Sequence, residues 1–183
     1  MRIIDGWLLD ARRVESPNCD TRPEGTCISL LVIHGISLPP GELGGPWIDA
    51  LFTNALNPEA HPYFRDIAGL RVSSHLLIRR DGELVQYVPF GLRAWHAGLS
   101  SLEGRPCCND YSIGIELEGT DRNPYSALQY TQLAEVARAL MQRYPAITAQ
   151  RIVGHSDIAP GRKTDPGLAF DWSYLRSLLS PAN

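Results

Sequence analysis

Among the five histidines of this 183-residue chain, His34 and His155 share a setting, because each closes a short apolar run. The runs are Ser29-Leu30-Leu31-Val32-Ile33-His34 and Arg151-Ile152-Val153-Gly154-His155. A strand end is rigid and opens toward a surface cleft, which is where a metal ligand is useful. Taken alone, either histidine reads more readily as a structural residue. The segment from His155 to Gly167 shifts the balance, since it packs charged groups into a loop stiffened by Pro160 and Pro166. A histidine and an aspartate on such a loop, His155 and Asp165, can converge on one ion. With His34 they offer two imidazoles and one carboxylate and leave a coordination position open for water. Asp157 is a rival ligand, but two residues after His155 it more readily orients an imidazole or caps a turn.

A dication held by one anionic side chain keeps positive charge. It lowers the pKa of bound water and polarises a carbonyl, which is the chemistry of amide hydrolysis. The same ligand set also suits non-haem iron(II) oxygenases, so the neighbours must decide the reaction. Glu116 lies on the polar face of an otherwise apolar strand, a costly place for a carboxylate without a partner or a task. It could take a proton from water and pass it to a leaving amine. Lys163, two residues before Asp165, could stabilise an oxyanion. The plainer reading of Glu116 and Lys163 is a pair of surface charges.

The elements that must hold these groups follow from periodicity. Ser29 to His34 is continuously apolar and reads as a strand buried on both faces. Ser74 to Arg79 and Leu84 to Val88, joined through Asp81-Gly82, read as a hairpin. Tyr111 to Glu118 alternates, with Ile113, Ile115 and Leu117 on one face and Gly114, Glu116 and Glu118 on the other. Ser126 to Tyr144 carries an apolar stripe of Leu133, Val136, Ala137, Leu140 and Met141, and Pro145 stops it. Pro46 to Leu56 reads as a helix, as does a final segment capped by Asp171 and carrying Trp172, Leu175, Leu178 and Leu179. These alternating elements predict an α/β (mixed α+β) fold with a central mixed β-sheet flanked by helices. The segment Leu38 to Arg71 is long and loop-rich, the kind of segment that carries function on a rigid scaffold.

Length and composition suit one domain over residues 1–183, with 44% hydrophobic and 20% charged residues as in an ordinary soluble protein. A net charge of −3 speaks against nucleic acid as a partner. Asp5 and Asp10 interrupt what a secretory signal would need as an apolar stretch, and no run reaches the roughly 18–20 apolar residues of a membrane span. The expectation is a cytoplasmic protein with no membrane partner. Four cysteines at 19, 27, 107 and 108 form no Cys-x-x-Cys pair and read as free thiols.

Taken together, these segments resemble a known family. Ser29 to His34 with Ile36 to Gly41, His61-Pro62-Tyr63-Phe64, Arg93-Ala94-Trp95-His96-Ala97-Gly98, Gly114 to Asp121 and the His155-to-Gly167 loop carry the match. The chain resembles the bacterial cytoplasmic amidases that act on 1,6-anhydro-N-acetylmuramyl peptides in peptidoglycan recycling. That group sits within the type 2 amidases and is related in fold to peptidoglycan recognition proteins. The resemblance implies zinc (Zn2+) on His34, His155 and Asp165, with Glu116 and Lys163 as catalytic groups. It further implies a soluble muropeptide substrate met by Arg71, Trp95 and His96, in a zinc amidase; a monomer is the expected state. Gly35, Cys107 and Ser156 depart from the family pattern, which often has Asn, Arg and Cys or Asn there. A non-catalytic peptidoglycan-fragment binding module is the alternative that such relatives raise, and a secreted amidase is the rival within the same chemistry.

Overall fold

The computed structural model describes residues 1–180. A six-stranded mixed sheet forms its centre. Its strands are β1 (Arg12–Arg13), β2 (Leu30–Ile36), β3 (Leu76–Ile78), β4 (Leu84–Gln86), β5 (Ser112–Glu118) and β6 (Ile152–Gly154). Across the sheet they run β6-β2-β5-β3-β4-β1. β5 is parallel to both β2 and β3, and β6 is parallel to β2. β3 and β4 form the expected antiparallel hairpin, with Ile78 opposite Leu84.

Side-chain alternation divides the sheet into two faces. Leu31, Ile33, Ile113, Ile115 and Leu117 point into a core completed by Leu133, Val136, Ala137 and Leu140 of α4 (Ala127–Arg143). The last helix, α6 (Trp172–Leu179), adds Leu175 to the same core. Each such leucine, isoleucine or valine contributes about 1.5–3 kcal/mol of hydrophobic stabilisation when fully buried. The opposite face is covered by shorter pieces: α1 (Trp47–Phe52), α2 (Phe64–Ile67), α3 (Cys108–Tyr111) and α5 (His155–Ile158). There Leu30 and Val32 meet Ala97, Cys108, Tyr111 and Ile158, while Leu77 and Val85 meet Ile48, Leu51, Phe52 and Phe64. This second face carries the site, because its cover leaves the C-terminal ends of β2 and β5 open.

Local chemistry sets the helix ends. Ser126 accepts from the Gln129 N–H while Gln129 reaches back to the Ser126 N–H, a complete capping box at the start of α4. The Ser126 hydroxyl also donates to the Arg80 carbonyl at 2.8 Å. Ser126→Ala is expected to lower stability by about 1–2 kcal/mol, read from the urea midpoint at unchanged slope. Asp171 caps α6 as expected, accepting from Tyr174 N at 2.8 Å.

α1 is shorter than the Pro46-to-Leu56 expectation. It stops at Phe52, because Asn54 turns into the left-handed region with φ of 60° and Leu56 buries itself beyond the turn. β6 ends at Gly154, so His155 opens a helical turn rather than closing the strand. Asp157 caps that turn, its carboxylate accepting from Gly154 N at 2.7 Å. Among the described residues no helix is long and apolar enough to cross a membrane.

Candidate active site

Strand register brings the first two groups together. β5 and β2 align Glu116 with His34, and both side chains rise from the open face of the sheet. β6 runs beside β2 with Gly154 opposite Ile33, so His155 emerges next to His34. The loop after it folds back on itself, with Ser156 N donating to the Asp165 carbonyl at 3.0 Å. That closure returns Asp165 to the histidines. His34 Nδ1 lies 2.9 Å from His155 Nδ1, and Asp165 Oδ2 lies 3.1 Å from each.

Two ring nitrogens and a carboxylate oxygen at such short range are spaced as ligands of a single cation would be. Ligands on a tetrahedral ion with bonds near 2.0–2.1 Å stand about 3.3 Å apart, close to the spacing here. Protonation suits the same role. Burial takes the His34 pKa down to about 4, so its ring is neutral at physiological pH, as a metal ligand must be. Burial alone would raise Asp165, but hydrogen bonds to His155 and His34 outweigh it and hold the carboxyl below its ordinary range. The outer ring nitrogens are engaged as well: His155 Nε2 meets the Ala97 carbonyl at 3.2 Å, and His34 Nε2 meets His96 Nδ1 at 2.9 Å. The residues present fit a divalent metal.

Two glutamates on one strand face show which carboxylate is structural. Glu118 is fully engaged: Gly44 N donates at 2.6 Å, Arg80 N at 3.2 Å, and Arg79 Nη1 at 3.4 Å. It ties the loop before α1 to the sheet. Glu116 is 8% exposed, and its buried Oε2 has no hydrogen-bond partner among the described residues. Burial first, then the charge of Asp165, pushes its pKa well above the usual carboxylate value, with Lys163 opposing. A buried carboxyl with a raised pKa that opens on the same cleft as His34, His155 and Asp165 has the character of a group suited to proton exchange. Lys163 lines the same cleft, a hollow of about 640 Å³ that also includes His34, His155 and Asp165.

The remaining expected residues divide. Trp95 and His96 line the cleft, together with Tyr63, Ile67 and Leu70, an apolar wall built by α2 and its flanks. Arg71 is exposed beside that wall, its Nη1 3.4 Å from Asn54 Oδ1. Gly35 leaves room that a larger residue would lack, since a Cβ there would run into the Tyr125 hydroxyl. That hydroxyl donates to the Pro166 carbonyl at 2.9 Å and steadies the loop beside Asp165. Of the other histidines, His75 accepts from Gly114 N at 3.0 Å and His61 from Tyr63 N at 3.1 Å, both structural bonds. Asn109 and Ser112, which meet the Trp95–Ala97 segment, carry no sequence signal beyond being small and polar.

A mixed sheet that opens a buried two-histidine, one-aspartate cluster onto a cleft, beside a buried carboxyl without a partner among the described residues, has a layout suited to hydrolytic chemistry. The family described as N-acetylmuramoyl-L-alanine amidase matches residues 24–168. The chain belongs to that family and is an amide hydrolase. It is 63% identical, over 100% of its length and 97% of the relative's, to the 1,6-anhydro-N-acetylmuramyl-L-alanine amidase AmpD of Citrobacter freundii. A crystal structure of a selenomethionine AmpD derivative, 64% identical, superposes with a TM-score of 0.96 and covers 98% of this chain and 100% of that one. Escherichia coli AmiD, solved with the substrate anhydro-N-acetylmuramic acid-L-Ala-D-gamma-Glu-L-Lys, is 29% identical with a TM-score of 0.61, covering 86% of this chain and 60% of that one.

Proposed function

We propose that this chain is a zinc-dependent amidase that hydrolyses the lactyl–L-Ala amide bond of 1,6-anhydro-muropeptides in peptidoglycan recycling. The observation that carries it is the convergence of His34, His155 and Asp165 on one point beside the unpartnered Glu116. The relatives' names support the substrate: the AmpD of Citrobacter freundii is named for the 1,6-anhydro compound, and AmiD was solved with an anhydro-muramyl peptide. The ligand set of two imidazoles and a carboxylate is one that zinc uses in catalytic sites.

His34, His155 and Asp165 would hold the ion. Bound there, zinc supplies a Lewis acid that polarises the scissile carbonyl and makes water acidic enough to attack at neutral pH. Glu116 takes the proton of the attacking water on Oε2 and passes it to the departing alanine nitrogen as the C–N bond breaks. Lys163 offsets the negative charge that grows on the carbonyl oxygen. Trp95 presents a flat face for the sugar, and Arg71 at the rim offers a planar fork to a peptide carboxylate. The products are the anhydro-muramyl acid and a peptide with a free L-Ala amine. The proposed setting is the cytoplasm, on soluble fragments, with residues 1–183 acting as one monomeric domain.

The direct test uses purified protein and an anhydro-muropeptide, with product read by mass spectrometry. Excess chelator is expected to abolish release of the L-Ala-led peptide, and zinc to restore it. Undiminished release from protein shown to be metal-free would refute the zinc reading.

A further inference from the structure

We propose that His96, clamped by Asn109, is a positioning residue for the metal site: it holds the His34 ring so that Nδ1 faces His155 and Asp165. The proposal rests on the zinc-amidase reading and deepens it.

The hydrogen-bond directions follow from one requirement. A neutral His34 that offers Nδ1 to a metal carries its proton on Nε2. Among the described residues the acceptor within reach of that proton is His96 Nδ1, 2.9 Å away. With Nδ1 accepting, a neutral His96 carries its own proton on Nε2, where Ser112 Oγ accepts it at 3.1 Å. Both His96 nitrogens are thereby committed to the protein. Neither is free for a sugar hydroxyl, although an edge of the ring lines the cleft.

The backbone around His96 is built for this task. Asn109 Oδ1 accepts from His96 N at 3.1 Å and Ala97 N at 2.8 Å. The Ala97 carbonyl, one residue on, faces the outer nitrogen of His155 at 3.2 Å and also accepts from Arg162 at 2.7 Å. One two-residue stretch thus meets the outer nitrogens of both ligand imidazoles. Beneath the ring, Gly114 is the residue that lets it lie against β5, since a Cβ there would fall 2.5 Å from His96 Cγ. Outer partners of this kind fix ligand tautomer and orientation, and their loss weakens metal binding by about 10- to 100-fold.

Zinc affinity, measured on the full chain by competition with a chromophoric chelator, tests this without reference to turnover. His96→Leu removes the acceptor and is expected to weaken zinc by about 10- to 100-fold. His96→Asn, whose Oδ1 can stand where Nδ1 was, should recover most of the loss, and Asn109→Ala should fall between. Nitrogen-15 NMR of the zinc-loaded wild type should find His96 bare at Nδ1 and protonated at Nε2; this reading needs no variant and stands even if His96→Leu fails to fold. Wild-type affinity in His96→Leu, or a proton on His96 Nδ1, overturns the proposal. A wild type that binds no zinc defeats the metal reading itself, a result distinct from either.

Discussion

Glu116→Gln is expected to lower kcat/KM by about 100- to 10,000-fold while metal content stays at the wild-type level. The loss should fall on kcat, because the amide keeps the shape of the side chain and removes only its capacity to carry a proton. Stability should move the other way. Burial, then Asp165, raises the Glu116 pKa above its unfolded value of 4.5, so in metal-free protein the folded state keeps a proton that the unfolded chain releases. Stability from this group is complete below pH 4.5 and is lost as pH rises through the raised folded value. Glutamine does not titrate, so the metal-free variant should gain melting temperature over wild type as pH climbs above 4.5. A variant with wild-type turnover would remove Glu116 from the mechanism. A parallel pH dependence of the two melting temperatures would show that its carboxyl does not titrate in an elevated range.

Asp165→Ala carries the other large effect. Asp165 is the anionic member of the cluster, with Oδ2 3.1 Å from both ring nitrogens. Its removal should leave purified protein with little bound metal and lower kcat/KM by at least about 1000-fold. That corresponds to losing about 4 kcal/mol of the several that a metal contributes to such a transition state. The fold should survive. The Asp165 side chain lies at the cleft, 15% exposed, and the Ser156-to-Asp165 loop closure is made by backbone, which alanine keeps. Metal stoichiometry and the melting temperature of chelated samples separate loss of the ion from loss of structure. Retained metal with retained activity would mean that the cluster is not the catalytic site.

The residues proposed to do the chemistry are readable in the sequence where a period or a stiff loop marks them. Glu116 stands out because strand alternation puts it on the polar face of an otherwise apolar strand, and register then sets it beside His34. His155 and Asp165 stand out because they sit on a charged loop stiffened by Pro160 and Pro166. The hairpin and the capped helices followed from Asp81-Gly82, Ser126 and Asp171, local signals that the tertiary structure leaves intact.

Elsewhere the controlling contacts are long-range. His96 follows Trp95 in a segment that reads as cleft lining, and nothing local reveals that its nitrogens meet His34 and Ser112, 62 and 16 residues away. Asn109 is an ordinary polar residue until the fold sets its oxygen under two amides. Two-residue strands such as Arg12–Arg13, or the ribbon pairing Cys19–Asp20 with Arg93–Ala94, are too short to show any period. α1 ends at Phe52 through a left-handed Asn54, a conformation that no proline or glycine announces.

Diffraction at the zinc absorption edge, from crystals of the purified chain, tests the central claim most directly. One strong anomalous peak within about 2.0–2.2 Å of His34 Nδ1, His155 Nδ1 and an Asp165 oxygen is the predicted result. No peak there in crystals of demonstrably active enzyme, or a peak held by other side chains, would contradict it.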